Sequence, residues 1–323
     1  MTSTQASAAA PRPKSAVIRF LQHRRRVFSK NWELLLLCIP AIAAYLLFQY
    51  APMVGLQMAF RNYRYDRGLF HSEWTGFKNF EFLFRSIDLA RIVRNSVLYS
   101  LTFLILGTIC NVVVALLLFE INNRRWLKFY QTVMTFPNFL SWVVVGFVTY
   151  AVFNPSIGVL NQVLAFFGHE GVNVYGSPKY WPYILTYMNL WKNVGMGCIM
   201  YYAALMGIDP SLYEAATIDG ANRWQQTIHI SLPSLTSLIT IMSILGIGGL
   251  FGGDFGLFYQ IPRNIGVLYP TTDIINTYVY RGLAGGDYGM SSATGLVQSV
   301  VGLVLVVATN LVVKKISPEN SMF

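Results

Sequence analysis

Residues 209–233 read Asp-Pro-Ser-Leu-Tyr-Glu-Ala-Ala-Thr-Ile-Asp-Gly-Ala-Asn-Arg-Trp-Gln-Gln-Thr-Ile-His-Ile-Ser-Leu-Pro, a polar stretch set between two apolar runs. Its chemistry predicts two short helices. Asp209 can N-cap the first, with Pro210 at the first helical position, where the missing N–H costs nothing. Asp219-Gly220 supplies a turn, because glycine tolerates the left-handed backbone of a helix C-cap. Asn222 followed three residues on by Gln225 reads as a capping box for the second helix. Pro233 is expected to end that helix and to bias Leu232 away from helical geometry. A helix–turn–helix lying against a membrane face is predicted.

The membrane follows from what flanks this stretch. Of 323 residues, 54% are hydrophobic and 12% charged. Charged residues make up about a quarter of an ordinary soluble domain, so half that density points to lipid. Six apolar runs reach the roughly 20 residues a helix needs to cross a bilayer. They lie at 33–58, 93–120, 129–153, 181–206, 233–258 and 292–313. No stretch alternates in the rhythm of a barrel strand. The fold class is therefore an all-α polytopic membrane protein with about six transmembrane helices. The glycines at 246, 248, 249, 252, 253 and 256 mark a place where helices approach closely or break. Residues 158–167 read as a short helix on the outer surface.

Charge sets the orientation. Seven of the 24 basic residues precede the first span, and no acid precedes Glu33. The basic tail 1–32 is held in the cytoplasm by the positive-inside rule. The Arg24–Arg26 cluster then meets anionic lipid headgroups rather than nucleic acid. Six crossings return the tail 314–323 to the cytoplasm, where Lys314 and Lys315 fit. The transmembrane domain is residues 33–313, and 207–233 is its cytoplasmic loop. Residues 61–92, with six basic residues against four acids, weaken this assignment. Cys38, Cys110 and Cys198 all lie in apolar runs and are expected in the core.

Glu214-Ala215-Ala216, then Gly220, then nine residues to Ile230, Leu232 and Pro233, resemble the EAA loop of binding-protein-dependent ABC importer permeases. The strings at 52–55, 74–80, 191–195 and 273–281 are similar to the oligosaccharide and polysaccharide branch of that family, relatives of the maltose and alginate importers' membrane subunits. The likeness covers residues 30–320. It implies the type I ABC importer permease fold with a cytoplasmic coupling helix. It also implies partners: two ABC ATPase subunits that bind ATP and Mg, a second, homologous but non-identical permease, and a solute-binding protein. Glu214, Ala215, Ala216, Asp219, Gly220, Ala221, Ile230, Leu232 and Pro233 are the expected ATPase-coupling residues. An exposed ion pair gives only about 0.2–1 kcal/mol, so the small residues at 215, 216 and 220 outweigh the acid.

Nothing in the chain reads as catalytic. No Gly-x-x-x-x-Gly-Lys-Ser/Thr loop is present to cradle phosphates. His23, His71, His169 and His229 do not cluster at metal-ligand spacing. A membrane-embedded glycan-processing enzyme would show paired acids in its spans, and an ion-driven carrier would show inverted repeats with coupling carboxylates. Neither pattern appears.

A cargo pathway is read from polar and aromatic residues inside the spans. Lys192 is costly in lipid and needs a cavity or a partner; snorkelling, or pairing with Asp254, are alternatives to cargo contact. Asn189 and Asn193 offer hydrogen bonds to hydroxyls, and Tyr187 and Trp191 offer flat faces to sugar rings. Asn138, Trp142 and Tyr150 recur at helical spacing on span 3, as pathway lining or as helix–helix glue. Arg61, Arg64, Arg67, Lys78, Arg85 and Arg91 suggest an anionic cargo, an alginate-like uronate oligosaccharide before a neutral one.

Overall fold

The computed structural model describes residues 32–316. The basic tail, its Arg24–Arg26 cluster and residues 317–323 lie outside the described residues. The chain divides into two units, residues 1–56 and 57–323.

In the first unit, helix α1 (Trp32–Tyr45) passes into a π-turn at Leu46–Tyr50 and then into 3₁₀ geometry from Ala51. The predicted first span, 33–58, is thus helical throughout, and Leu36–Phe60 is long and apolar enough to cross a bilayer. Cys38, expected in a core, is exposed here. On a membrane helix, that face is one that lipid can cover.

The second unit opens with a two-stranded antiparallel ribbon, Arg61–Asn62 against Glu73–Trp74. Asn79 ties the next helix, α2 (Lys78–Arg85), to it by donating to the carbonyls of Ala59 at 2.9 Å and Arg61 at 3.0 Å. Helix α3 (Ile87–Phe119) starts six residues before the predicted span, because Ser86 caps it and Asp88 adds a negative charge in its first turn.

Span 3 is not one helix. It comprises α4 (Arg124–Thr135) with a 3₁₀ turn at Phe136–Phe139, then α5 (Trp142–Phe153), bent by 95° at the join. The surface helix expected at 158–167 is α6 (Val159–Phe166). Span 4 is α7 (Trp181–Met206). The loop helices are α8 (Pro210–Ile218) and α9 (Arg223–Gln226). Span 5 ends at Gly248 rather than 258: α10 (Thr236–Gly248) is followed by a break, and α11 (Phe255–Gln260) is separate. The break holds Gly249, Gly252 and Gly253, the last at φ +85, a backbone that glycine takes freely, and glycines inside α10 permit close contact. A Cβ on Gly246 would stand 2.5 Å from Leu104, and one on Gly248 would stand 2.4 Å from Val306. Helix α12 (Ile275–Ala284) leads to the last span, α13 (Tyr288–Ile316).

Among the described residues, three helices pass as membrane spans on length and apolarity, or five if each bent pair is one. The 26-residue α7 completes six segments at the six predicted positions; its internal Asn189, Lys192 and Asn193 lower its hydropathy. Two buried clusters occupy opposite ends of α7. One gathers Tyr175, Trp181, Leu185, Phe258 and Ile274, and the other gathers Val112, Cys198, Tyr201, Leu205 and Leu235.

Candidate functional site

The loop between spans 4 and 5 has the predicted caps. The Asp209 carboxylate accepts from the N–H of Ser211 at 3.0 Å, which holds its pKa below the usual carboxylate value. Gly220 takes the left-handed turn at φ +80, and the N–H of Ala221 closes it by donating to the Ala216 carbonyl at 2.9 Å. The capping box is complete, with Asn222 accepting from the Gln225 N–H and the Gln225 side chain accepting from the Asn222 N–H.

Pro233 does not stop the second helix. The chain continues through a π-turn at Thr227–Ser231 into Leu232–Ser234, and Leu232 is helical at φ −66, ψ −43. Widening to i→i−5 bonding, seen in the Leu232 N–H donating to Thr227, relieves the clash between the proline ring and the preceding turn. The break comes two residues later, where the chain bends by 52° into α10.

Glu214, Ala215, Asp219, Gly220, Leu232 and Pro233 are exposed, while Ala216, Ala221 and Ile230 are half-buried. Ala216, Asp219, Gly220, Ala221 and Ile230 share the rim of a hollow of about 300 Å³. Residues that sequence reasoning did not pick fix the loop to the bundle. The Tyr213 hydroxyl meets the Ser231 hydroxyl at 2.9 Å and its ring packs on Phe119. Gln226 donates to Thr217 at 2.9 Å, tying the two helices together, and Arg223 bridges to Glu120 at the end of α3. Arg223 and Glu120 are 103 residues apart, so no local pattern announces the pair.

Of the residues read as a pathway, Lys192, Asn138, Asn193 and Trp142 adjoin one another, while Tyr150 and Tyr187 lie against other residues. Lys192 is only 7% exposed, and its ammonium donates to the carbonyls of Pro137, Asn138 and Leu140, at 3.2 and 2.8 Å for the first two. Those carbonyls lie at the broken C-terminal end of the first half of span 3, where helical acceptors lose their partners and the helix dipole is negative. Ser141 caps the second half by accepting from Val144. Neither snorkelling nor an ion pair with Asp254 is seen: Lys192 staples the break, with the Trp142 ring 5.2 Å from its Nζ. Gly195 lets α7 cross the first half of span 3 closely, since a Cβ there would fall 1.7 Å from the Met134 carbonyl oxygen.

The 95° break also separates Asn138 from Trp142 and Tyr150, so the three do not share a helical face. Asn138 reaches Asn193 at 3.4 Å; the Trp142 indole N–H donates to Asp254 at 2.6 Å; Tyr150 packs edge-on against Tyr175. Asn189 and Asn193 line a cavity of about 250 Å³ with Asn111. Tyr187 lines a larger groove of about 710 Å³ with Arg94, Tyr99 and Tyr183. Trp191 is 40% exposed.

Four of the six basic residues of 61–92 are engaged within the chain. Arg61 donates to the Ser72 carbonyl at 2.8 Å, Arg64 pairs with Asp66, and Arg85 pairs with Glu81. Arg91 pairs with Asp88 and with the buried Asp273, which also holds Arg281 at 2.7 Å. The Thr277 hydroxyl donates to the same carboxylate at 2.8 Å. Asp273 is thus a knot of four residues that ties α3 to α12.

This geometry has known counterparts. The chain is 34% identical over 310 residues to the polygalacturonan/rhamnogalacturonan transport system permease protein YteP of Bacillus subtilis, covering 94% of this chain and 96% of the relative. It is 33% identical to Protein LplB of the same organism, over 89% of this chain and 90% of that one. A chain from the crystal structure of a bacterial ABC transporter that imports the acidic polysaccharide alginate superposes with a TM-score of 0.83 at 32% identity, covering 91% of this chain and 99% of that one. A second such structure, in complex with an alginate pentasaccharide-bound periplasmic protein, gives a TM-score of 0.81. The relatives are permease subunits and not enzymes. Residues 107–318 match the family described as binding-protein-dependent transport system inner membrane component, and the chain belongs to that family.

Proposed function

We propose that this chain is one of two membrane subunits of an ATP-driven importer that moves an acidic oligo- or polysaccharide into the cytoplasm. Its N- and C-termini are cytoplasmic, and its second permease is a homologous chain. A solute-binding protein delivers cargo, and two ATPase subunits bind ATP and Mg. The observation that carries this reading is the capped helix pair Pro210–Gln226, which presents Glu214, Ala215 and the Gly220 turn outward. Two large apolar side chains beside the turn, Ile218 at 86% exposed and Trp224 at 72%, need a partner's cover. ATPase closure, transmitted through this loop, would tilt α7 and the span-5 helices as rigid pieces. The acidic cargo is supported by what the similar permease and transporter carry.

Purification from membranes tests the assembly: the tagged chain should bring down an ATPase and a second permease. Glu214→Lys with Gly220→Leu should abolish cargo-stimulated ATP hydrolysis while leaving the chain folded. Intact coupling in that double variant would refute the loop assignment. In proteoliposomes, uronate oligosaccharides should stimulate ATP hydrolysis and neutral ones should not; equal stimulation would refute the acidic preference.

A further inference from the structure

Between α5 and α11 lies a pocket of about 210 Å³ lined by Val143, Gly146, Phe147, Tyr259, Gln260 and Arg263. Gly146 makes it possible: a Cβ there would stand 2.9 Å from the Gln260 carbonyl oxygen. The chain leaves the pocket through two successive left-handed residues, Arg263 at φ 58 and Asn264 at φ 50, the non-glycine residues with positive φ among those described. Asparagine tolerates this region; arginine rarely enters it. Such a backbone persists only where its surroundings over-determine it, and strain of this kind gathers at functional sites. Here the Tyr269 hydroxyl donates to the Asn264 side chain at 3.1 Å, and the Tyr175 hydroxyl donates to the Ile261 carbonyl at 3.1 Å.

The distortion serves to lay the exposed Arg263 guanidinium over the Tyr150 ring, 4.1 Å from its centroid. Every other ion pair of the described residues involves a different arginine, so Arg263 has no acidic partner among them. A planar cation held on an aromatic face keeps its edge N–H groups for a forked bond to a carboxylate. Beside it, Tyr259 is held by stacking on Phe255 and by an edge contact to Tyr280, with ring centroids 5.0 Å apart in each case. Gln260 adds an amide. Tyr150 lies one turn from the end of α5 and touches Tyr175, which packs on Trp181 at the start of α7. The coupling loop follows the other end of α7, about 38 Å away along the helix at 1.5 Å per residue.

Resting on the acidic-saccharide reading above, we infer that Arg263 is a specificity-determining residue, binding the carboxylate of a uronate unit at the entry end while Tyr259 and Gln260 meet the sugar ring. The assembled importer, purified in detergent without its solute-binding protein, tests this with a fluorescent uronate oligosaccharide and its carboxyl-reduced counterpart. Wild type should bind the uronate at least tenfold more tightly. Arg263→Gln should remove that preference and leave binding of the reduced sugar unchanged, and Arg263→Lys should recover only part of it, since a point charge lacks the fork. An unshifted melting temperature shows that the variants fold. If wild type prefers the uronate and Arg263→Gln keeps the preference, the role of Arg263 is refuted alone. If wild type binds both sugars equally, the acidic-cargo reading falls with it.

Discussion

At the residue scale, two charged side chains inside the bundle act as fasteners. Lys192 donates to three carbonyls gathered at the break in span 3, of which that of Pro137 also takes the Leu140 N–H. Lys192→Met should destabilise the chain by about 3 kcal/mol, because it strands buried acceptors and removes a charged donor. A thermal-unfolding series in detergent measures this, and an unchanged melting temperature would contradict the staple. Asp273 is 1% exposed and joins Arg91, Arg281 and Thr277. Asp273→Asn keeps the shape but leaves Arg281 without its acid and Arg91 with Asp88 alone, at a cost of about 3 kcal/mol, the lower end for breaking a buried pair. Both arginines retain some solvent contact, which is why the lower end applies. The sequence showed that Lys192 needed a partner; it did not show that the partner is backbone, because those carbonyls gather only once the helix breaks.

At the element scale, the fold depends on broken helices. Span 3 turns through 95° and span 5 enters through a 52° bend after a π-turn. Gly195 sits where the first half of span 3 crosses α7, so Gly195→Ala should cost about 3 kcal/mol or more, since backbone cannot yield as a side-chain tip does. Loss of the folded chain in size-exclusion chromatography is the expected result. Gly220 presents the opposite case. Nothing lies within 4 Å of its added Cβ, and only its φ of +80 is at stake. Gly220→Ala should therefore cost about 1 kcal/mol through the backbone alone and leave the melting temperature nearly unchanged. The bulkier Gly220→Leu should lower cargo-stimulated ATP hydrolysis severalfold in the reconstituted complex. Equal effects of the two variants would place the role of Gly220 in the turn and not in the close fit of a partner.

At the scale of the whole molecule, large apolar side chains remain on the outside, including Leu37, Phe147 and Leu303, each more than 60% exposed. A bilayer covers such surfaces, whereas water does not. The sequence by itself determined the class of protein, the presence of its apolar segments and the capped geometry of the loop at 207–233. Each of these depends on short-range chemistry: an apolar run of fixed length, a capping residue three positions from its partner, a glycine where φ must be positive. Only the tertiary structure decided where spans 3 and 5 break, that Lys192 holds one break together, that Gly195 lets α7 cross closely, and that Asp273 gathers its partners. It also gathered some of the supposed pathway residues around Lys192, placed others apart, and set Arg263 beside Tyr150. These depend on which helices meet, and the contacts that decide it join residues as far apart as Arg91 and Asp273, beyond the reach of any local pattern.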